Sequence, residues 1–240
     1  MLSDYDPGEV RRTILRESLS LLAHGLLVPF GLSGDGHSPE RKRDQRTLVF
    51  VHGLAANRAG FLPLQAFLRS RGHQRQLALN YRSAGSVEAL ALRLKRELDA
   101  KVRGGRIDMV AHSMGGLVAR FYLQQLGGAR RVDRLITLGT PHRGTHAANF
   151  VPSALVRQLL PESPFIRHLN GLPAPQGLQV SSIVAGRDVL VQPTEAASCP
   201  FGETIRFDEL GHVELLFRPR VFAEIRAILR GPPRSNTSLG

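Results

Sequence analysis

The stretch Ile107-Asp108-Met109-Val110-Ala111-His112-Ser113-Met114-Gly115-Gly116 decides how this chain is read. An apolar run of strand type ends in a small residue, a serine follows within two positions, and a glycine pair opens a helical pattern. The order predicts a strand, a sharp turn and a helix, with Ser113 at the turn. It has the form of a nucleophile elbow, G-x-S-x-G, with Ala111 at the first glycine position. Such a turn holds its serine in a strained backbone conformation that lifts the hydroxyl above the sheet edge. Residues two positions to either side must be nearly free of side chain, because strand and helix crowd together there. From these residues alone a plainer reading stays open, in which Ser113 caps a helix.

The neighbouring segments favour the chemical reading. Upstream, Thr47-Leu48-Val49-Phe50-Val51 is a short apolar strand closed by His52-Gly53-Leu54. Acyl transfer needs two backbone N–H groups aimed at the oxygen that becomes negative in the tetrahedral intermediate. With an elbow serine, one comes from the following residue, Met114, and the other from the loop after an early strand, where Leu54 stands. Gly53 would let the backbone approach the substrate, and His112 is a second substrate-side candidate beside the serine. The plainer alternative is that His52-Gly53 only ends a buried strand.

Downstream, Val180–Ala185 reads as a strand leading through Gly186-Arg187 to Asp188, and Thr204–Phe207 as a strand leading to Gly211-His212. Ser113, Asp188 and His212 thus each follow a strand, in the chain order serine, acid, histidine. Asp188 would orient His212, which would take the serine proton and return it to the leaving group. Glu195 is the rival acid, whereas Asp208 and Glu209 lie too close to His212 along one loop.

Between these motifs strands and helices alternate. Helices are expected over residues 60–71, 86–103 and 115–126, with strands over 76–80, 107–111 and 135–139. The alternation predicts an α/β fold whose mainly parallel sheet is covered on both faces. The pattern breaks between Gly144 and Gly177. Two amphipathic segments there, 149–160 and 165–169, predict a small lid insert or a passive crossover. A closing helix is expected over 213–229, and residues 231–240 read as a disordered polar tail.

The N-terminal region has its own character. Val10, Ile14, Leu15, Leu19, Leu22, Leu26 and Leu27 recur at helical spacing up to Pro29, which predicts an amphipathic helix within residues 1–32. Residues 33–46 read as a linker, followed by the main domain over 47–230. Four acidic residues near the start and no small-residue cleavage site argue against a signal peptide. The apolar stretch is too short to span a bilayer, so the expectation is a cytoplasmic or peripherally membrane-associated protein.

Composition bounds the rest. The chain has 240 residues, enough for one α/β domain of this kind. Its formal charge of +12 is carried almost wholly by arginine, because Lys42, Lys95 and Lys101 are its only lysines. The arginines are scattered, tryptophan is absent, and no nucleic-acid motif is present, so no nucleic-acid partner is expected. Cys199 stands alone, which excludes an intramolecular disulfide. No zinc-type pattern is visible, no metal or cofactor is expected, and a monomer is the expected state.

Taken together, Val51-His52-Gly53-Leu54, Ala111-His112-Ser113-Met114-Gly115-Gly116, Leu138-Gly139-Thr140-Pro141-His142-Arg143-Gly144 and Leu210-Gly211-His212 resemble bacterial serine lipases and esterases. The elbow is most similar to small lipases of Bacillus type. The Gly-Thr-Pro-His-Arg-Gly segment also resembles Burkholderia and Pseudomonas lipases. The resemblance spans about residues 47–230 and implies an α/β-hydrolase fold. It further implies carboxylic ester hydrolysis with Ser113 as nucleophile, Asp188 as acid, His212 as base, and Leu54 and Met114 as oxyanion donors. Short- to medium-chain acyl esters are the expected substrates, with acylglycerols at the longer end. Two rivals remain open: the same serine acting on a thioester, amide or inositol-lipid ester, and a non-catalytic lipid-surface module.

Overall fold

Parallel strands cannot be joined by hairpins, so a chain of short apolar strands must cross over a sheet face between each pair. The computed structural model describes residues 46–231, the pair Gly36–His37 and isolated positions between 15 and 29. In chain order the strands are β1 (Gly36–His37), β2 (Thr47–Val51), β3 (Gln76–Ala78), β4 (Ile107–His112), β5 (Val132–Leu138), β6 (Gln179–Ala185) and β7 (Glu203–Phe207). They form one sheet in the order β1-β3-β2-β4-β5-β6-β7, and every pairing is parallel except β1 with β3. The stretch read as a linker thus supplies an edge strand, whose register sets Gly36 against Ala78.

Side-chain alternation along the strands builds two cores. Val49, Val51, Met109 and Ala111 face one layer, and Leu48, Phe50 and Val110 face the other. The first layer is closed by α2 (Val87–Lys101) and α3 (Met114–Gln125). The second is closed by α1 (Leu62–Arg69) and α6 (Pro219–Arg230). The Ser86 hydroxyl accepts from the Ala89 N–H to start α2, with Glu88 in the first turn. Pro63 sits in the first turn of α1, where a missing N–H costs nothing.

Two further expectations need correction. The closing helix does not run unbroken from 213: a 3-10 turn covers Val213–Leu216, and α6 starts only at Pro219. Proline lacks the N–H that would continue the earlier turn, yet its fixed φ suits a first helical position. The insert segment 149–160 is likewise divided into a 3-10 turn, His146–Phe150, and one helical turn, α4 (Ala154–Arg157). Pro152 biases Val151 to extended backbone, which ends the first piece. The second insert helix, α5 (Pro164–Gly171), forms as expected.

The N-terminal helix expected within residues 1–32 lies largely outside the described residues, and so does the tail from 232. Those positions between 15 and 29 that are described are helical, Pro29 included, within the residue or two by which helix ends vary. Leu15, Leu19, Leu22 and Leu26 are all exposed there.

Candidate active site

In an open parallel sheet a crevice opens beyond the carboxyl ends of the strands where the winding direction reverses. Here the chain steps from β2 outward to β3, then returns to β4 on the other side, so the reversal falls between β2 and β4. The loops that leave these two strands carry Gly53-Leu54 and Ser113. The two oxyanion candidates and the serine are therefore brought to one place by topology.

Ser113 takes φ 55° and ψ −132°, a left-handed φ that L residues rarely adopt. Its N–H donates to the Leu138 carbonyl at 2.9 Å, and its carbonyl accepts from the Thr140 hydroxyl at 2.9 Å and the Gly116 N–H at 3.0 Å. These bonds over-determine the turn and hold the strain. Gly115 is required by crowding, since a Cβ there would stand 2.4 Å from the Val51 carbonyl oxygen. Met114 opens α3, and the first N–H groups of a helix have no intrahelical acceptor. Ala55, one residue past Leu54, is the other non-glycine residue with positive φ among those described.

Asp188 and His212 are almost wholly buried, and His212 Nδ1 lies 2.6 Å from Asp188 Oδ2. The other oxygen, Oδ1, accepts the Leu190 and Val191 N–H groups, both at 2.8 Å. The carboxylate is thus fixed by its own loop, with one oxygen left for the imidazole. Gly139 passes beneath the pair with φ +54°, and a Cβ there would lie 2.9 Å from His212 Nδ1. Glu195 is placed elsewhere, exposed on the turn Thr194–Ala197 with its carboxylate 3.5 Å from Arg206. A bond to its own backbone N–H, helped by the Thr194 hydroxyl and Arg206, holds its carboxyl below the usual range.

Ser113, His112, His212, Gly53 and Leu54 line one cavity of about 310 Å³. Its remaining walls are mainly apolar: Ala148, Val151, Val156 and Leu159 from the insert, Val191 from the acid loop, and Leu216. Phe150, Val151, Val189 and Leu190 are exposed on the two loops that supply these walls. His112 packs its ring 4.8 Å from that of His212.

Several supporting residues carry no local sequence signal. Glu214 is fully buried, accepts the Gly211 N–H at 3.0 Å and pairs with Arg218, which fixes the turn bearing His212. Arg120, buried on α3, donates to the Asn170 side chain at 2.9 Å and the Leu169 carbonyl at 3.2 Å, tying α5 to the helix behind the serine. His142 is fully buried between Thr137 Oγ1 at 2.9 Å and Arg120 Nη1 at 3.4 Å. Only His142 stood in a quoted motif. Arg120 acts across some 50 residues, which no short pattern records, and Glu214 acts within its own turn, outside the quoted motifs.

Bacillus licheniformis lipase BlEst2 in its mature form superposes with a TM-score of 0.66 at 15% identity, over 82% of this chain and 98% of that one. The type II thioesterase BorB from the borrelidin biosynthetic cluster gives 0.59 at 20% identity, over 83% of this chain and 97% of that one. Triacylglycerol lipase 2 of Saccharomyces cerevisiae is 30% identical over 100 residues, or 38% of this chain, and the match spans 30% of that protein's length. The solved neighbours establish an α/β-hydrolase fold, as the resemblance to Bacillus-type lipases and esterases implied. Residues 32–156 match the family model described as a domain of unknown function, DUF7379, which takes in the elbow and stops before Asp188 and His212. That match covers more than half of the chain, which therefore belongs to the DUF7379 family.

Proposed function

We propose that this protein is a serine carboxylic ester hydrolase that forms an acyl-enzyme on Ser113 and prefers short- to medium-chain acyl groups. The observation that carries this reading is the buried 2.6 Å contact between His212 Nδ1 and Asp188 Oδ2, set beside a strained serine in one apolar cavity. With Nδ1 bonded to the carboxylate, Nε2 is left as the basic nitrogen. It takes the Ser113 proton as Oγ bonds to the ester carbonyl carbon. The carbonyl electron pair moves to oxygen, where the Leu54 and Met114 N–H groups stabilise it. Collapse breaks the bond to the leaving alkoxide oxygen, which receives the proton from His212. Water then repeats the sequence and releases the carboxylic acid.

Cavity size and lining support the substrate class. At about 30 Å³ per water-sized group, the space holds about ten carbon-sized groups. That places it at the small end of ligand pockets. The apolar walls offer an acyl chain burial and give a charged substrate little to bind.

The test is hydrolysis of p-nitrophenyl butyrate and octanoate, with fluorophosphonate labelling, by the wild type and Ser113→Ala. The wild type should turn over and label, and the variant should lose on the order of 10³-fold or more in kcat along with the label. Equal rates in the two proteins overturn the proposal. A matched thioester and amide measured alongside separate ester hydrolysis from the rival chemistries that the fold hosts.

A further inference from the structure

His52 precedes the oxyanion loop, and nothing so far has given it a role. It is almost wholly buried, its ring stacked on Tyr81 with centroids 4.0 Å apart and planes inclined by 17°. The Tyr81 backbone N–H donates to His52 Nε2 at 3.3 Å, so that nitrogen is the acceptor. The proton must then sit on Nδ1, which lies 2.9 Å from the Gly53 carbonyl and donates to it. The Ser83 hydroxyl reaches the same carbonyl at 3.4 Å, and the Tyr81 hydroxyl donates to the His52 carbonyl. Two consecutive peptide groups, 52–53 and 53–54, are thus gripped by their oxygens from outside the cavity.

We infer that His52 and Tyr81 form a positioning clamp that aims the Leu54 N–H at the substrate oxyanion. The reason is the planarity of the peptide. In a trans unit the N–H points opposite to the C=O. Holding the Gly53 oxygen against His52 and Ser83 therefore turns the Leu54 N–H the other way, toward the cavity that Gly53, Leu54 and Ser113 line. Ala55, next in sequence, is held at φ +51°, a left-handed value that a loop relaxed to its own preference would abandon. A preorganised donor costs no reorientation when charge develops, which is where such groups gain their effect. Burial also pushes the Tyr81 hydroxyl far above its ordinary pKa, so it stays a donor throughout the working range.

The inference rests on the ester hydrolase reading, and its test keeps the two apart. Wild type, Tyr81→Phe, His52→Leu and His52→Asn are compared for kcat, KM and affinity for a trifluoromethyl ketone, whose enzyme adduct carries the oxyanion. Tyr81→Phe removes one grip and should lower kcat about 10-fold, part of the 10²–10³ that a lost oxyanion donor costs. His52→Leu should lose more. His52→Asn can place an amide N–H where Nδ1 stood and should recover most of the rate. KM should stay nearly constant, while ketone affinity falls in step with kcat/KM.

Unchanged kcat in Tyr81→Phe and His52→Leu overturns the clamp, as does a rise in KM with ketone affinity unaltered. Ring-nitrogen NMR of the wild type serves if a variant does not fold. The His52 signals, assigned by their loss in His52→Asn or from backbone correlations, should show a protonated Nδ1 and a bare Nε2 at neutral pH. The opposite tautomer overturns the clamp without any substitution. Absence of ester turnover by the wild type overturns the hydrolase reading instead, and leaves the tautomer measurement to judge His52.

Discussion

Asp188 and Glu195 share a charge and a stretch of chain, yet their surroundings are opposite. The first is buried with two backbone N–H groups on one oxygen and an imidazole on the other. The second is exposed beside Arg206. Asp188→Asn should therefore lower kcat by on the order of 10³- to 10⁴-fold by losing control of the His212 tautomer. Glu195→Gln should leave the rate near that of the wild type, and p-nitrophenyl ester hydrolysis distinguishes the two. A reversed order would move the acid to Glu195. At this scale the elbow was legible because a strained turn needs small residues at fixed offsets. Asp188 was legible only as one of two acids, because nothing in Gly-Arg-Asp records which carboxylate folds back onto the histidine. Tyr81 and Arg120 were not legible, since each works through atoms far away in the chain, and Glu214 was not, since its ties to Gly211 and Arg218 lie within one turn that no quoted motif includes.

Among the elements, the strands and the helices on the sheet faces were readable from their periodicity. The insert was readable only as an interruption. Its apolar spacing over 149–160 looks helical, but Pro152 divides it into a 3-10 turn and the single turn of α4. The edge strand β1 escaped notice because two residues carry no period and its partner lies in a distant segment. The insert nevertheless supplies part of the cavity wall through Val156 and Leu159. Leu159→Ala should deepen the cavity there and move the best acyl substrate to longer chains, measured as kcat/KM across a p-nitrophenyl series. Truncating a buried leucine costs about 2–5 kcal/mol, so thermal unfolding should accompany the profile. An unchanged profile in a folded variant would show that acyl chains lie elsewhere.

For the molecule as a whole, the two ends of the sheet do different work. The carboxyl ends of the strands carry the candidate site, while the opposite end holds an ionic cluster around the buried Asp108–Arg134 pair. There Asp108 lies 3.1 Å from Arg134 and 2.9 Å from Arg46, and Asp133 is paired with Arg106. Global stability should also depend on pH through His142. Burial, reinforced by the Arg120 charge, pushes its pKa well below the ordinary 6.5. The folded state keeps this ring neutral, whereas the unfolded chain takes up a proton below that value. Stability is then lost as pH falls through 6.5, by up to about 1.4 kcal/mol per pH unit for this one group. The melting temperature should drop between pH 7 and pH 5, and His142→Gln should flatten that slope. Parallel slopes in the two proteins would assign the acid sensitivity elsewhere. The pairing of Asp133 acts in a more acidic window, since Arg106 and Arg46 hold its carboxyl below the usual range.

The insert that walls the cavity is stapled twice. Gln158 accepts the Val87 N–H and donates to Glu88, both at 2.8 Å, at the start of α2, and Arg120 secures α5 from below. Beside these anchors Ala148, Val151, Val156 and Leu159 touch the cavity with aliphatic side chains that make no polar demand on their neighbours. The shape of the cavity is thereby set by groups other than the polar ties that hold the insert in place. A designer or a lineage can resculpt the chamber by swapping one hydrocarbon for another, with the ties at its corners untouched.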